Sequence, residues 1–126
     1  MRVYRVAHRT IRNQSGGYPA GPYHTSNYSD DRAARDVMWE LGCAHTDEKH
    51  PSPYADRELG TIHYGEVCGF DLRCHLDLWM DGWRQKLHDV GFCVYVYEVP
   101  EARVGWYGQA LFKINEARLV ETQDLI

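Results

Sequence analysis

Residues 92–99 read Phe92-Cys93-Val94-Tyr95-Val96-Tyr97-Glu98-Val99. β-branched and aromatic residues fill both parities of this stretch, whereas a strand with one wet face would alternate. It is therefore expected to be an interior strand, and Pro100 ends it. Such a strand needs partners, and the start of the chain offers one. Across residues 2–8, Val3, Arg5 and Ala7 share one face while Tyr4, Val6 and His8 share the other. Arg5 thus falls on a mainly apolar face. Long charged side chains are seldom buried without a partner, so Arg5 either snorkels at an edge or lines a pocket. Downstream, Tyr107–Ile114 and Ala117–Glu121 read as two more strands joined by a tight turn at Asn115-Glu116.

Two helices lie between the first strand and these. Ser29 or Asp30 can cap one that runs to Leu41, with Ala33, Ala34, Val37, Met38 and Leu41 on one stripe and Gly42 as its stop. Asp71 opens a second, ending near Val90 before Gly91. Its stripe is Leu72, Leu76, Trp79, Met80, Trp83, Leu87 and Val90. At that spacing Trp79 and Trp83 read as core. The order of strand, helix, helix and three strands predicts one α+β domain over residues 1–126, a small and mostly antiparallel sheet with two main helices.

Residues 13–28 follow no hydrophobic period. Tyr18, Tyr23, Tyr28 and His24 stand among Gly16, Gly17, Gly21, Pro19 and Pro22. A linker built for reach alone would lack the aromatics. Polar-tipped rings on a Gly/Pro scaffold between two ordered elements indicate a ligand-contacting loop. Residues 43–68 form a second long aperiodic stretch, with one short element expected near Thr61–Tyr64. Loops of this length in a small domain are commonly functional.

Fourteen Lys and Arg against eighteen Asp and Glu give a net charge of −4, which argues against phosphate-driven binding to duplex nucleic acid. Arg2, Arg5, Arg9 and Arg12 read as an alternating, solvated strand edge. No apolar run reaches membrane-spanning length, and Met1-Arg2-Val3-Tyr4-Arg5 lacks the apolar stretch of a secretory signal. A cytoplasmic protein is expected, with Cys43, Cys68, Cys74 and Cys93 as reduced thiols.

Histidines and cysteines are plentiful, but Cys43-x-His45 and adjacent Cys74-His75 lack the paired short spacings of a zinc site. No metal is expected, and these residues read as buried thiols and surface imidazoles. A Gly-x-Ser-x-Gly elbow and the glycine patterns of phosphate loops are absent. The late strand instead opens on Gly108-Gln109-Ala110-Leu111-Phe112, an amide at the mouth of an apolar strand.

These parts together, Val3-Tyr4-Arg5-Val6, then Gly21-Pro22-Tyr23-His24-Thr25 before a helix, then Gly108 to Glu121, resemble the ADP-ribosyltransferase fold, in particular the NAD-degrading RES-domain toxins. The resemblance implies NAD as substrate. It implies that Arg5 holds phosphate or ribose, that Tyr23 stacks on the nicotinamide with His24 and Tyr28 in the same binding loop, and that Gln109 takes the catalytic glutamate's position. Glutamine departs from that pattern: it can bond a ribose hydroxyl but carries no charge to stabilise an oxocarbenium-like centre. The neighbourhoods of Cys68-Gly69-Phe70, Gly91-Phe92 and Gly108-Gln109 also resemble small proteins of actinobacteria and their phages. Two functions stay open: NAD-dependent ADP-ribosyl transfer or NAD cleavage, and a non-catalytic module that engages a nucleotide or a protein. Oligomeric state is not readable from the sequence.

Overall fold

A computed structural model describes all 126 residues. Its elements are β1 (Arg2–His8), α1 (Arg32–Ala44), β2 (Glu66–Phe70), α2 (Arg73–Trp79), α3 (Arg84–Asp89), β3 (Phe92–Glu98), β4 (Arg103–Val104), β5 (Gln109–Lys113) and β6 (Arg118–Gln123). The six strands form one sheet in the order β4-β5-β2-β1-β3-β6, and every pairing is antiparallel. The protein is α+β.

β1 and β3 pair along their whole length, from Arg2 opposite Glu98 to His8 opposite Phe92. On its other side β1 meets β2 at a single register position, Tyr4 opposite Phe70. The sheet is thus split into a β4-β5-β2 half and a β1-β3-β6 half. The link between β5 and β6 shows how the halves lie. These strands are four steps apart in the order, which in a flat sheet spans about 19 Å at about 4.8 Å per step. Residues 113 to 118 reach at most about 18 Å when fully extended. Alternating strand directions would also set the end of β5 and the start of β6 at opposite ends of a flat sheet. The halves therefore fold towards each other, and a 3-10 turn at Ile114–Glu116 is enough to cross between them.

Two apolar clusters fill the resulting layers. Val6, Phe92, Val94 and Val96 face Met38, Leu41, Leu76 and Leu87 from the helices and Met80 from the turn between α2 and α3. Val3, Ala7, Cys93, Tyr95 and Tyr97 face Val67, Ala110 and Phe112 of the other half, with the Tyr97 and Phe112 rings 5.7 Å apart. β3 is apolar at both parities because one face meets helices and the other meets the folded-over half.

Several expectations need correction. β5 and β6 are not a hairpin, since each pairs on a different side of the sheet. β2 lies in the stretch read as a loop, while Thr61–Tyr64 forms no element. Gly69 hides β2 from a pattern search, yet the strand needs it: a Cβ there would sit 2.9 Å from the Tyr4 carbonyl oxygen and 3.1 Å from the Phe112 ring. The helix after Asp71 is two helices broken at residues 80–83, where Gly82 adopts φ +82°. Leu76 and Leu87 keep one face because eleven residues make just over three turns, so the stripe ran through the break. Asp71 caps nothing, and its carboxylate instead lies 2.6 Å from His75 Nδ1. α1 is capped by Asp31, whose side chain accepts from the Ala34 amide at 3.0 Å. It runs past Gly42 to Ala44, where the His45 amide closes the last turn on the Leu41 carbonyl.

Candidate ligand cavity

Where β1 and β2 separate, a cavity of about 430 Å³ opens between the loop of residues 13–28, the strap of residues 45–62 and α2. Arg5 leaves β1 into this split and is only 5% exposed. Its guanidinium donates to the Cys68 carbonyl at 2.7 Å and to the Pro19 carbonyl at 3.4 Å. Nε has no hydrogen-bond partner, and the guanidinium carbon lies 5.7 Å from the Tyr18 ring centre. No carboxylate pairs with it. Burial lowers its pKa from the usual arginine value, although a guanidinium remains charged at any working pH. A buried cation answered only by carbonyl dipoles and a ring is an unbalanced charge. Gly21 is shaped around it: a Cβ there would stand 2.6 Å from Arg5 Nη2.

Tyr23 lines the same cavity from the loop. Its backbone is left-handed at φ +77°, a conformation that costs a tyrosine on the order of 1–3 kcal/mol and persists only where the surroundings enforce it. The Tyr23 hydroxyl accepts from Trp79 Nε1 at 2.7 Å and lies 2.7 Å from His45 Nδ1. Indole N–H can only donate, so the phenol proton is free to go to Nδ1 of a His45 that carries its own proton on Nε2. Burial, with the His50 charge second, pushes the His45 pKa down to about 4, in keeping with a neutral acceptor. Burial likewise pushes the Tyr23 hydroxyl's pKa well up.

His45 stacks on His50 with ring centres 3.7 Å apart. His50 Nδ1 lies 2.6 Å from an Asp47 carboxylate oxygen and Nε2 lies 2.9 Å from the Trp79 carbonyl. Both partners are acceptors, so only the doubly protonated ring satisfies both. The His50 hydrogen bond holds the Asp47 carboxyl below its ordinary range.

The strap is tied down at several points. Asp56, fully buried, accepts from the Trp106 amide at 2.6 Å. Arg103 donates to the Leu59 carbonyl at 2.6 Å, to the Thr61 carbonyl at 2.7 Å, and to both Glu66 oxygens. Gln109, the first residue of β5 and 5% exposed, donates its amide to the Pro51 carbonyl at 3.2 Å. Its partner across the ladder is Phe70, beside the one place where β1 touches β2.

Of the residues singled out in the sequence, Arg5, Tyr23, His24 and Gln109 line this one cavity. Tyr28 does not. It is fully buried in the helix-side core and donates its hydroxyl to the Gly21 carbonyl at 2.6 Å, bracing the loop from behind. Trp79 belongs to the core and to the cavity wall together. His45 and His50 are wall residues, not surface imidazoles, and the only early sign of this was their place on either side of Asp47 directly after a helix. Cys43 and Cys74 are exposed, Cys93 is buried as a small apolar residue, and burial raises the Cys68 thiol pKa at the cavity. No three His, Cys, Asp or Glu side chains gather closely enough to hold a metal ion. No helix is long and apolar enough to cross a membrane.

Fold and cavity define a small α+β protein with an aromatic-walled, cation-bearing pocket set in a split antiparallel sheet. The chain belongs to the family described as Bacteriophage T4 Y00F protein, which it matches over residues 1–126, and this makes it a phage protein. No curated protein and no solved structure matches it.

Proposed function

We propose that the protein binds NAD or a related nucleotide in the split of its sheet, on an ADP-ribosyltransferase-like frame. The observation that carries this is convergence. Arg5, Tyr23 and Gln109 come from three separate segments and line one cavity of a volume typical for small-molecule sites. Arg5 supplies the fixed cation that a phosphate oxygen needs, in a place where no protein carboxylate competes. The rings of Tyr23, Phe70 and Trp79 supply apolar surface for a base or a nicotinamide ring.

Binding is better supported than transfer. Glu66 is the single carboxylate in the lining, and Arg103 holds it through both oxygens. That ion pair, with the hydrogen bond from the His63 amide, keeps Glu66 below the ordinary carboxylate range. A carboxylate so engaged is poorly placed to stabilise an oxocarbenium-like centre.

Thermal unfolding with increasing NAD tests the reading, because a ligand bound only by the folded state raises Tm with its concentration. The expected result is a rising Tm, with no nicotinamide released above a boiled control. Arg5→Met is expected to weaken NAD by about tenfold or more, given that a hydrogen bond to a charged group contributes ~1.5–3 kcal/mol. A flat Tm at millimolar NAD overturns nucleotide binding. Nicotinamide release overturns the preference for binding over transfer.

A further inference from the structure

Gln109 has two ends, and the protein uses one of them. The Pro51 carbonyl can only accept, so the group facing it at 3.2 Å must be the amide NH2. That fixes which way the amide is turned and leaves Oε1 on the other side. Oε1 receives no hydrogen bond from the protein, and the residue, 5% exposed, lines the cavity. The residue is thus an almost fully buried polar group in the cavity lining, with an acceptor that the protein leaves unused.

We infer that Gln109 is a bridge between strap and ligand: its NH2 latches the strap at Pro51, and its oxygen selects ligands that offer an N–H or O–H at that point. Glutamate fails at this position on the first count. A carboxylate would face the Pro51 carbonyl oxygen, two acceptors without a proton between them. The glutamine is therefore the residue this strap requires, and a glutamate placed there loosens the strap. The latch stands on the geometry of Gln109 and Pro51 alone, while the ligand-selecting end rests on the nucleotide-binding reading above.

The test compares the full-length wild type with Gln109→Glu and Gln109→Met, following amide hydrogen exchange across residues 51–62 and NAD affinity by titration calorimetry. Both variants are expected to speed exchange in the strap several-fold and to weaken NAD about tenfold. Lowering the pH distinguishes them, because a protonated glutamate can donate to Pro51 and methionine cannot. Strap protection in Gln109→Glu is expected to return as its carboxyl titrates, with no recovery in Gln109→Met. Glu66, His45 and His50 face the same cavity, and Asp71 and His75 pack against Gly108 next door. Any pH effect of theirs appears equally in the methionine variant. Unchanged strap exchange in both variants overturns the latch. A loosened strap in variants of a wild type that does not bind NAD supports the latch and overturns the nucleotide reading. NAD affinity unchanged by Gln109→Met, in a wild type that binds NAD, overturns the acceptor role.

Discussion

β1 has two neighbours and treats them differently. Towards β3 it is zipped over its full length, with Val6 opposite Val94 and Ala7 opposite Cys93 between two packed layers. Towards β2 it touches once, at Tyr4 and Phe70, and the space left over holds a charged side chain and a cavity. One strand therefore carries the stability of the fold on one edge and its candidate chemistry on the other. The alternation of β1 places Arg5 on the side where the halves part, and Gly21 and Gly69 let backbone come close enough to frame the opening.

Substitutions on the two edges should behave in opposite ways. Phe92, fully buried at the end of the zipped pair and edge-on to His8 with ring centres 5.1 Å apart, gives the largest effect. Phe92→Ala is expected to cost about 3–5 kcal/mol in urea unfolding, as cavities of that size do. A loss under 1 kcal/mol would mean that the closed edge is not what holds the sheet. On the open edge, Gly21→Ala drives a methyl group against Arg5 and should cost about 1–3 kcal/mol. Arg5→Met, which removes an unbalanced buried charge, should leave stability level or raise it. Combining the two tests the contact itself: the Gly21→Ala penalty should largely vanish in the Arg5→Met background. Strict additivity would show that Gly21 serves something other than the guanidinium.

The smallest effect is one of pH. His45 has a folded pKa of about 4 against about 6.5 in an unfolded chain. The unfolded state then holds the proton more tightly, so this residue's contribution to stability is intact above pH 6.5 and falls as pH drops towards 4. His8, whose pKa burial also lowers, adds to the same trend. The difference between wild type and His45→Gln isolates His45: the variant's stability profile should be flatter between pH 6.5 and 4. Parallel profiles would show that burial beside His50 does not depress His45 in the folded protein.

The sequence disclosed those parts of the fold whose burial is local and regular. β1, the stripe of α1 and the two-sided β3 were all legible, and so was an aperiodic loop around Tyr23, which lines the cavity. What escaped depended on partners far along the chain. β2 is five residues with a glycine inside, and only the approach of Tyr4 and Phe112 explains that glycine. The parting of β5 from β6 follows from halves folding together, which no local pattern records. His45 and His50 looked like surface imidazoles because their burial comes from Trp79 and Tyr23, residues distant in sequence. Tyr28 shows the reverse error, a loop aromatic whose surroundings are core.

The zipped edge also has a consequence in time. β1 is the first element of the chain and occupies the middle of the sheet, yet its full-length partner begins at Phe92, and the Met1 amino group bonds the Val99 carbonyl at 2.8 Å. During synthesis that strand must wait, unpaired, while about ninety residues are added behind it. At ribosomal rates of about 5–20 residues per second, the wait lasts several seconds. High contact order of this kind slows closure after release as well. The middle of the sheet therefore stays open until most of the chain has been made.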